Sequence, residues 1–200
     1  MGSGDKIPEL LRDLGFIVDV FTKEPLTTEL LQHYDVVIAG IRAYNTYQRL
    51  STDHKNILEY VENGGTFIVQ YNTTGDLITD PSPYNMKISR DRVTEEDSPV
   101  SIINPNHPLI NYPFKITRTD FDGWIQERGL YFPNEWNENF VPLLEMNDTG
   151  DTPKSGSLLF TKYGKGNFIY TGLSFFRQLP AGVEGAYKLF INLLSAGISE

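Results

Sequence analysis

The chain has no cysteine among its 200 residues. That excludes disulfides, thiolate metal sites and a cysteine nucleophile together, and it leaves the redox compartment open. Histidine is also scarce. His33, His54 and His107 are scattered without ligand spacing, so no metal centre is expected. His54 reads as a residue on the outer face of a helix, and His107, in Asn106-His107-Pro108, as a turn residue. There is no Gly-x-Ser-x-Gly elbow. No apolar run approaches the length of a bilayer span, so membrane insertion is not expected. A basic stripe is missing too: 17 Lys and Arg stand against 26 Asp and Glu, for a net charge of −9. Nucleic acid and anionic membrane surfaces are poor partners for such a chain. The pair Gly164-x-Gly166 precedes a strand rather than a helix, so it reads as a hairpin and not a phosphate cradle. No cofactor is expected.

What is present is an alternation of helix and strand. Asp5 to Leu14 reads as a helix, with Ile7, Leu10, Leu11 and Leu14 on one face, Pro8 in the first turn and Gly15 as the stop. Residues 16–21 read as a strand and Thr27 to Gln32 as a short helix. Asp35 to Gly40 is a continuous apolar run of the kind found in buried parallel strands. Ser51 to Asn63 is the clearest helix, with Ser51 as its expected cap and Ile57, Leu58 and Val61 inward. Thr66 to Gln70 is the next buried strand.

This order predicts an α/β fold: a flavodoxin-like, open, mostly parallel sheet with helices on both faces. A 200-residue chain of this composition suits one domain. Residues 76–115 lose the helical period and carry several prolines, so they read as an irregular insertion. Later, Phe140 to Met146, Ser157 to Tyr163 and 168–172 read as strands, with a polar loop at Asn147 to Ser155, and Glu184 to Leu194 reads as the closing helix. The repeating unit of such a sheet starts with a strand, whereas this chain starts with a helix. A first strand is therefore expected to be missing. Residues 16–21 and 35–40 should then leave a gap or recruit a segment from another chain, which makes a homo-oligomer one expected outcome. Met1-Gly2-Ser3-Gly4 reads as a cloning scar or the start of an excised fragment.

Functional groups in such sheets gather beyond the carboxyl ends of the strands. Three clusters qualify. Arg42, Tyr44 and Asn45 follow the strand at 35–40, and Arg42 can grip a carboxylate or phosphate in bidentate fashion. Tyr71 and Asn72, with Thr73 and Thr74, follow the strand at 66–70. A tyrosine at a turn tip is a poor nucleophile, since its phenol has a pKa of about 10, and no base adjoins Thr73. Asp122, Trp124 and Glu127 lie in a third stretch, in which paired acids suggest glycoside chemistry and an exposed tryptophan suggests sugar stacking.

Several stretches carry a resemblance. The alternating first half, Gly64 to Gly75, Asn106-His107-Pro108-Leu109 and Tyr163 to Gly172 resemble the class I glutamine amidotransferase-like superfamily, and its ThuA-like branch most. Tyr34 to Asn45, Asp122 to Tyr131 and Leu179 to Tyr187 resemble the domain that follows PIG-L (LmbE-like) deacetylases in Bacteroidetes-type bacteria. The resemblance implies that de-N-acetylase chemistry belongs to a preceding catalytic domain, whose His-Pro-Asp-Asp zinc motif is absent here. It places Tyr71 where active amidotransferases carry a cysteine, and it implies a periplasmic or cell-envelope setting. The resulting expectation is a non-catalytic accessory domain. It would bind a carbohydrate or dock the catalytic deacetylase domain through Arg42, Tyr44, Asn45, Tyr71, Asn72, Asp122, Trp124 and Glu127. The rival expectation is a sugar-active hydrolase or lyase with Asp122 and Glu127 as acid and base.

Overall fold

The computed structural model describes residues 5–198. Met1 to Gly4, read above as a scar or fragment start, lie outside the described residues. The first half runs α1 (Ile7–Asp13), α2 (Thr28–Leu31), β1 (Val36–Ala39), α3 (Ala43–Thr46), α4 (Leu50–Glu62) and β2 (Thr66–Gln70). Then come β3 (Met86–Val93), β4 (Ser101–Ile102), α5 (Pro108–Asn111), a 3-10 turn at Arg118–Phe121, β5 (Gly129–Trp136), β6 (Val141–Pro142) and β7 (Leu144–Glu145). The chain closes with β8 (Leu158–Tyr163), β9 (Gly166–Thr171), α6 (Phe175–Gln178) and α7 (Glu184–Leu194).

The main sheet has the order β1-β2-β9-β8-β6. β1, β2 and β9 run parallel, and β8 and β6 are antiparallel to their neighbours. The expected open α/β sheet is thus the observed one. Side chains alternate across it, as strand geometry requires. Ile68, Ile169 and Leu158 join α1, α5 and α7 in one apolar layer, while Phe67, Val69, Phe168, Tyr170 and Leu159 join α2 and α4 in the other. Burying each of these large apolar side chains contributes roughly 1.5–3 kcal/mol.

Local chemistry sets the element ends. Gly15, at φ +93°, stops α1. The Thr27 hydroxyl accepts the Leu30 N–H at 3.2 Å and caps α2. α4 starts one residue earlier than its sequence suggests. Arg49 occupies the cap position without a side-chain bond, and the Ser51 hydroxyl instead donates to the Gln48 carbonyl at 2.8 Å. The β8–β9 hairpin leans on the end of α4. The Lys165 N–H donates to the Glu62 carbonyl at 2.9 Å, and a Cβ on Gly166 would stand 2.1 Å from the Val61 carbonyl oxygen.

Three sequence readings change. Residues 16–21 form no strand: among the described residues no strand pairs with them, the Phe16 N–H donating instead to the Leu11 carbonyl at 3.0 Å, and an isolated strand is not stable. They are not bonded to β1, so a gap separates the two. The stretch read as an irregular insertion contains β3, an eight-residue strand paired antiparallel with β5. Its bulges and its Arg90-Asp91-Arg92 run hide the alternation. The strand read at Phe140 to Met146 is two short strands, β6 and β7, paired with different partners. The polar loop at 147–155 is tied down: the Asp148 carboxylate accepts the Thr94 and Glu95 N–H groups at 2.8 and 2.9 Å.

Candidate functional site

Beyond Ala39 the chain passes Gly40 and Ile41 to Arg42, whose φ of +56° turns it sharply into α3. The Arg42 N–H donates to the Tyr71 carbonyl at 2.8 Å, joining the turns after β1 and β2. Side-chain amides complete that joint. The Tyr44 N–H donates to Asn72 Oδ1 at 2.8 Å, and Asn72 Nδ2 donates to the Gln70 carbonyl at 2.9 Å. Asn45 Oδ1 accepts the Thr73 N–H at 2.9 Å, and its Nδ2 donates to the Gly75 carbonyl at 2.8 Å. Tyr44 and Asn72 are fully buried. These three residues build the floor of the crevice and offer little to a ligand. The Tyr44 hydroxyl meets His54 Nδ1 at 2.8 Å, so His54 faces inward rather than lying on the helix's outer face. Burial holds its imidazole down to a pKa of about 4.

An aromatic cluster stands on that floor. Tyr71 stacks on Tyr131 with ring centroids 5.8 Å apart and 13° between planes, and it leans on Phe176 at 5.3 Å. The Arg177 guanidinium lies 4.8 Å from the centre of the Phe176 ring, and its Nε pairs with Glu127 Oε1 at 2.8 Å. Tyr131 reaches Tyr71 because β5 bulges there. Leu130 and Phe132 have partners on β3, whereas Tyr131 has none and adopts φ +56°. The Tyr170 hydroxyl donates to the Tyr131 carbonyl at 2.9 Å and holds the bulge. With Gln126 at φ +64°, three non-glycine residues of this rim (Arg42, Gln126 and Tyr131) occupy the left-handed region, each at a cost of order 1–3 kcal/mol. Such strain collects at ligand sites.

The chemistry open to this cluster is limited. Burial raises the Tyr71 pKa, outweighing the nearby Arg42 and Arg177, so its hydroxyl is protonated at neutral pH. Glu127 is held by Arg177. Irregular chain follows Tyr71 until Met86, so no helix N-terminus backs it as in a nucleophile elbow. Among the described residues, no group of three or more His, Cys, Asp or Glu is placed to hold a metal ion. What remains is a buried Tyr71 ring flanked by the half-buried Tyr131 and Phe176, with two arginines at the edge of the cluster.

The sequence-predicted residues divide accordingly. Arg42, Tyr71 and Glu127 come together around the cluster. Trp124 does not: its indole is only 2% exposed, packs against Phe121 and Phe175, and donates its N–H to the Asp120 carbonyl at 3.0 Å. The expected exposed stacking face is therefore absent at Trp124. Asp122 is exposed and acts electrostatically on Arg128, whose guanidinium runs to the Ser98 and Phe121 carbonyls. Tyr131, Phe176 and Arg177 escape the sequence reading. The last two are within its reach, since they lie just beyond the carboxyl end of β9, where the rule that flags Arg42 and Tyr71 applies equally. The Tyr131 bulge leaves no pattern in the sequence.

No protein-family model matches the chain, and no curated protein matches it. Solved structures do. The cytoplasmic protein STM3548 of Salmonella typhimurium superposes with a TM-score of 0.66 at 16% identity, covering 96% of this chain and 87% of that one. A ThuA-like protein of Bacteroides uniformis gives 0.57 at 15% identity, over 95% of this chain and 82% of the other. A GMP synthase-type protein of Thermoplasma acidophilum gives 0.56 at 9% identity, over 96% and 86%. At these identities the likeness is one of fold: the open α/β sheet with its helices is shared with these three proteins.

Proposed function

We propose that this chain is a non-catalytic, amidotransferase-like accessory domain that binds carbohydrate for a PIG-L-type deacetylase. The Tyr71–Tyr131–Phe176 cluster carries the reading. Its half-buried members, Tyr131 and Phe176, supply apolar surface for a sugar ring over the buried Tyr71, and Arg42 and Arg177 supply donors for its hydroxyl or acidic groups. The deacetylase partnership and a cell-envelope location are supported by the segments at 34–45, 122–131 and 179–187, which resemble the domain following such enzymes.

The rival hydrolase reading needs Asp122 and Glu127 across one bond. Against it, Glu127 is engaged by Arg177, and Asp122 acts electrostatically on Arg128. The deciding experiment titrates the purified chain with N-acetylated and de-N-acetylated amino-sugar oligomers, following tyrosine resonances by NMR. Saturable shifts at Tyr71 and Tyr131, lost in Tyr131→Ala and unaccompanied by turnover, are expected. Turnover that disappears in Asp122→Asn would overturn the reading, as would the absence of any shift.

A further inference from the structure

The aromatic cluster carries charge of the sign opposite to that of the whole chain. Acidic side chains outnumber basic ones, 26 to 17. Around the Tyr71 phenol the order is reversed: the charged side chains that act on it are Arg42, Arg177 and Glu127, two guanidinium groups against one carboxylate. Asp5 comes near the same turn but spends its carboxylate on main chain, accepting the Ile41 N–H at 3.2 Å and the Ile7 N–H at 3.1 Å.

The hydrogen-bonding groups at this edge are unbalanced as well. The Arg42 main chain is fixed: its N–H donates to the Tyr71 carbonyl at 2.8 Å, and its own carbonyl accepts the Asn45 N–H and the Thr46 hydroxyl, both at 3.0 Å. Its side chain is exposed and, among the described residues, has no hydrogen-bond or ion-pair partner. Arg177 is steadied by Phe176 and gives its Nε to Glu127, yet its terminal nitrogens are likewise unpaired among those residues. Neither the Tyr71 nor the Tyr131 hydroxyl has a partner there either. A guanidinium only donates, and the one carboxylate at this edge is already engaged. A neutral ring, whose hydroxyls must donate as well as accept, would leave its own hydrogens poorly served. A carboxylate, which only accepts, matches such a set of donors.

We infer, on the carbohydrate reading above, that the sugar taken by this cluster is an acidic one, a hexuronate whose carboxylate is gripped by the Arg42 guanidinium. The two residues divide the work. Arg177, held by Glu127 and Phe176, sets a fixed positive edge, and Arg42, anchored only through its main chain, closes on the acid as a fork. The single uncompensated positive charge suits a monovalent carboxylate better than a dianionic phosphate. It also opposes the ammonium group of a de-N-acetylated sugar.

The test titrates the purified chain with the methyl glycosides of glucuronic acid, glucose and glucosamine and with glucose 6-phosphate, following Tyr71 and Tyr131 by NMR. The glucuronide is expected to bind at least about fivefold more tightly than the glucoside, and the glucosaminide more weakly than either. That preference should shrink in about 1 M sodium chloride, where charges are screened within about 3 Å. Arg42→Asn, whose new residue tolerates the left-handed backbone, should abolish the preference, and Arg42→Lys should keep part of it. The urea midpoint of each variant confirms that it folds. Equal affinity for glucuronide and glucoside would overturn the acidic assignment while leaving carbohydrate binding in place. So would a preference that survives in Arg42→Asn, or glucose 6-phosphate binding more tightly than the glucuronide. No shift with any of the four would overturn the carbohydrate reading itself, and this assignment with it.

Discussion

His54 gives the sharpest energetic test of the crevice floor. Its Nδ1 shares a hydrogen bond with the Tyr44 hydroxyl at 2.8 Å, and burial lowers its pKa from 6.5 to about 4. The unfolded chain takes up a proton at His54 as pH falls below about 6.5, and the folded chain refuses it until about pH 4. The unfolded state thus binds more protons throughout that window, so stability falls as pH falls through it and levels off below. Linkage puts the loss at roughly 2–3 kcal/mol at pH 4.5 relative to pH 7. Carboxylates and His107 also titrate over this range, so the quantity to measure is a difference. His54→Gln keeps a hydrogen-bonding side chain beside Tyr44 but removes the titration. Urea unfolding at pH 7 and pH 4.5 on both proteins should show the wild type losing about 2 kcal/mol more than the variant, once partial exposure of the ring is discounted. Equal losses would mean that the imidazole is not held neutral and that the Tyr44 anchor is misread.

Two further substitutions separate core from surface. Trp124→Ala removes an indole from the layer beneath α6 and α7 and should cost about 3–5 kcal/mol in denaturant unfolding. A cost below about 0.5 kcal/mol would place the ring at the surface, where a sugar-stacking residue would sit. Gly166→Ala puts a methyl 2.1 and 2.2 Å from the Val61 and Gly65 carbonyl oxygens, and backbone cannot yield as a side chain can. A loss of at least about 1–3 kcal/mol is expected, and an unchanged midpoint would show that the hairpin does not press on α4 as described.

The parts of the fold legible in the sequence are those whose periodicity is local. α7 shows its inward stripe of Ala186, Leu189, Phe190 and Leu193, and β2 and β9 are short apolar runs bounded by glycine. Where a partner decides, the sequence misleads. Residues 16–21 have a strand's composition but no neighbour to bond with. β3 lacks strand composition over Arg90 to Arg92, yet β5 recruits it. The site follows the same division. The turns after β1 and β2 are foreseeable because the strands that aim them are visible, and so Arg42 and Tyr71 can be picked out. Trp124 is misplaced by its sequence because its surroundings, Phe121 and Phe175, depend on how α6 packs. Tyr131 stays hidden because a bulge is a property of two strands together.

The paired asparagines beneath the crevice have a thermodynamic consequence. Asn45 and Asn72 stitch the two neighbouring turns so fully that this half of the recess is already set before any guest arrives. Whatever docks there finds the rings and the Arg177 guanidinium in place, so little conformational freedom of these groups is surrendered on capture, and affinity is governed more by contact than by ordering. Loosening either amide should weaken capture through entropy while leaving the touching groups unchanged.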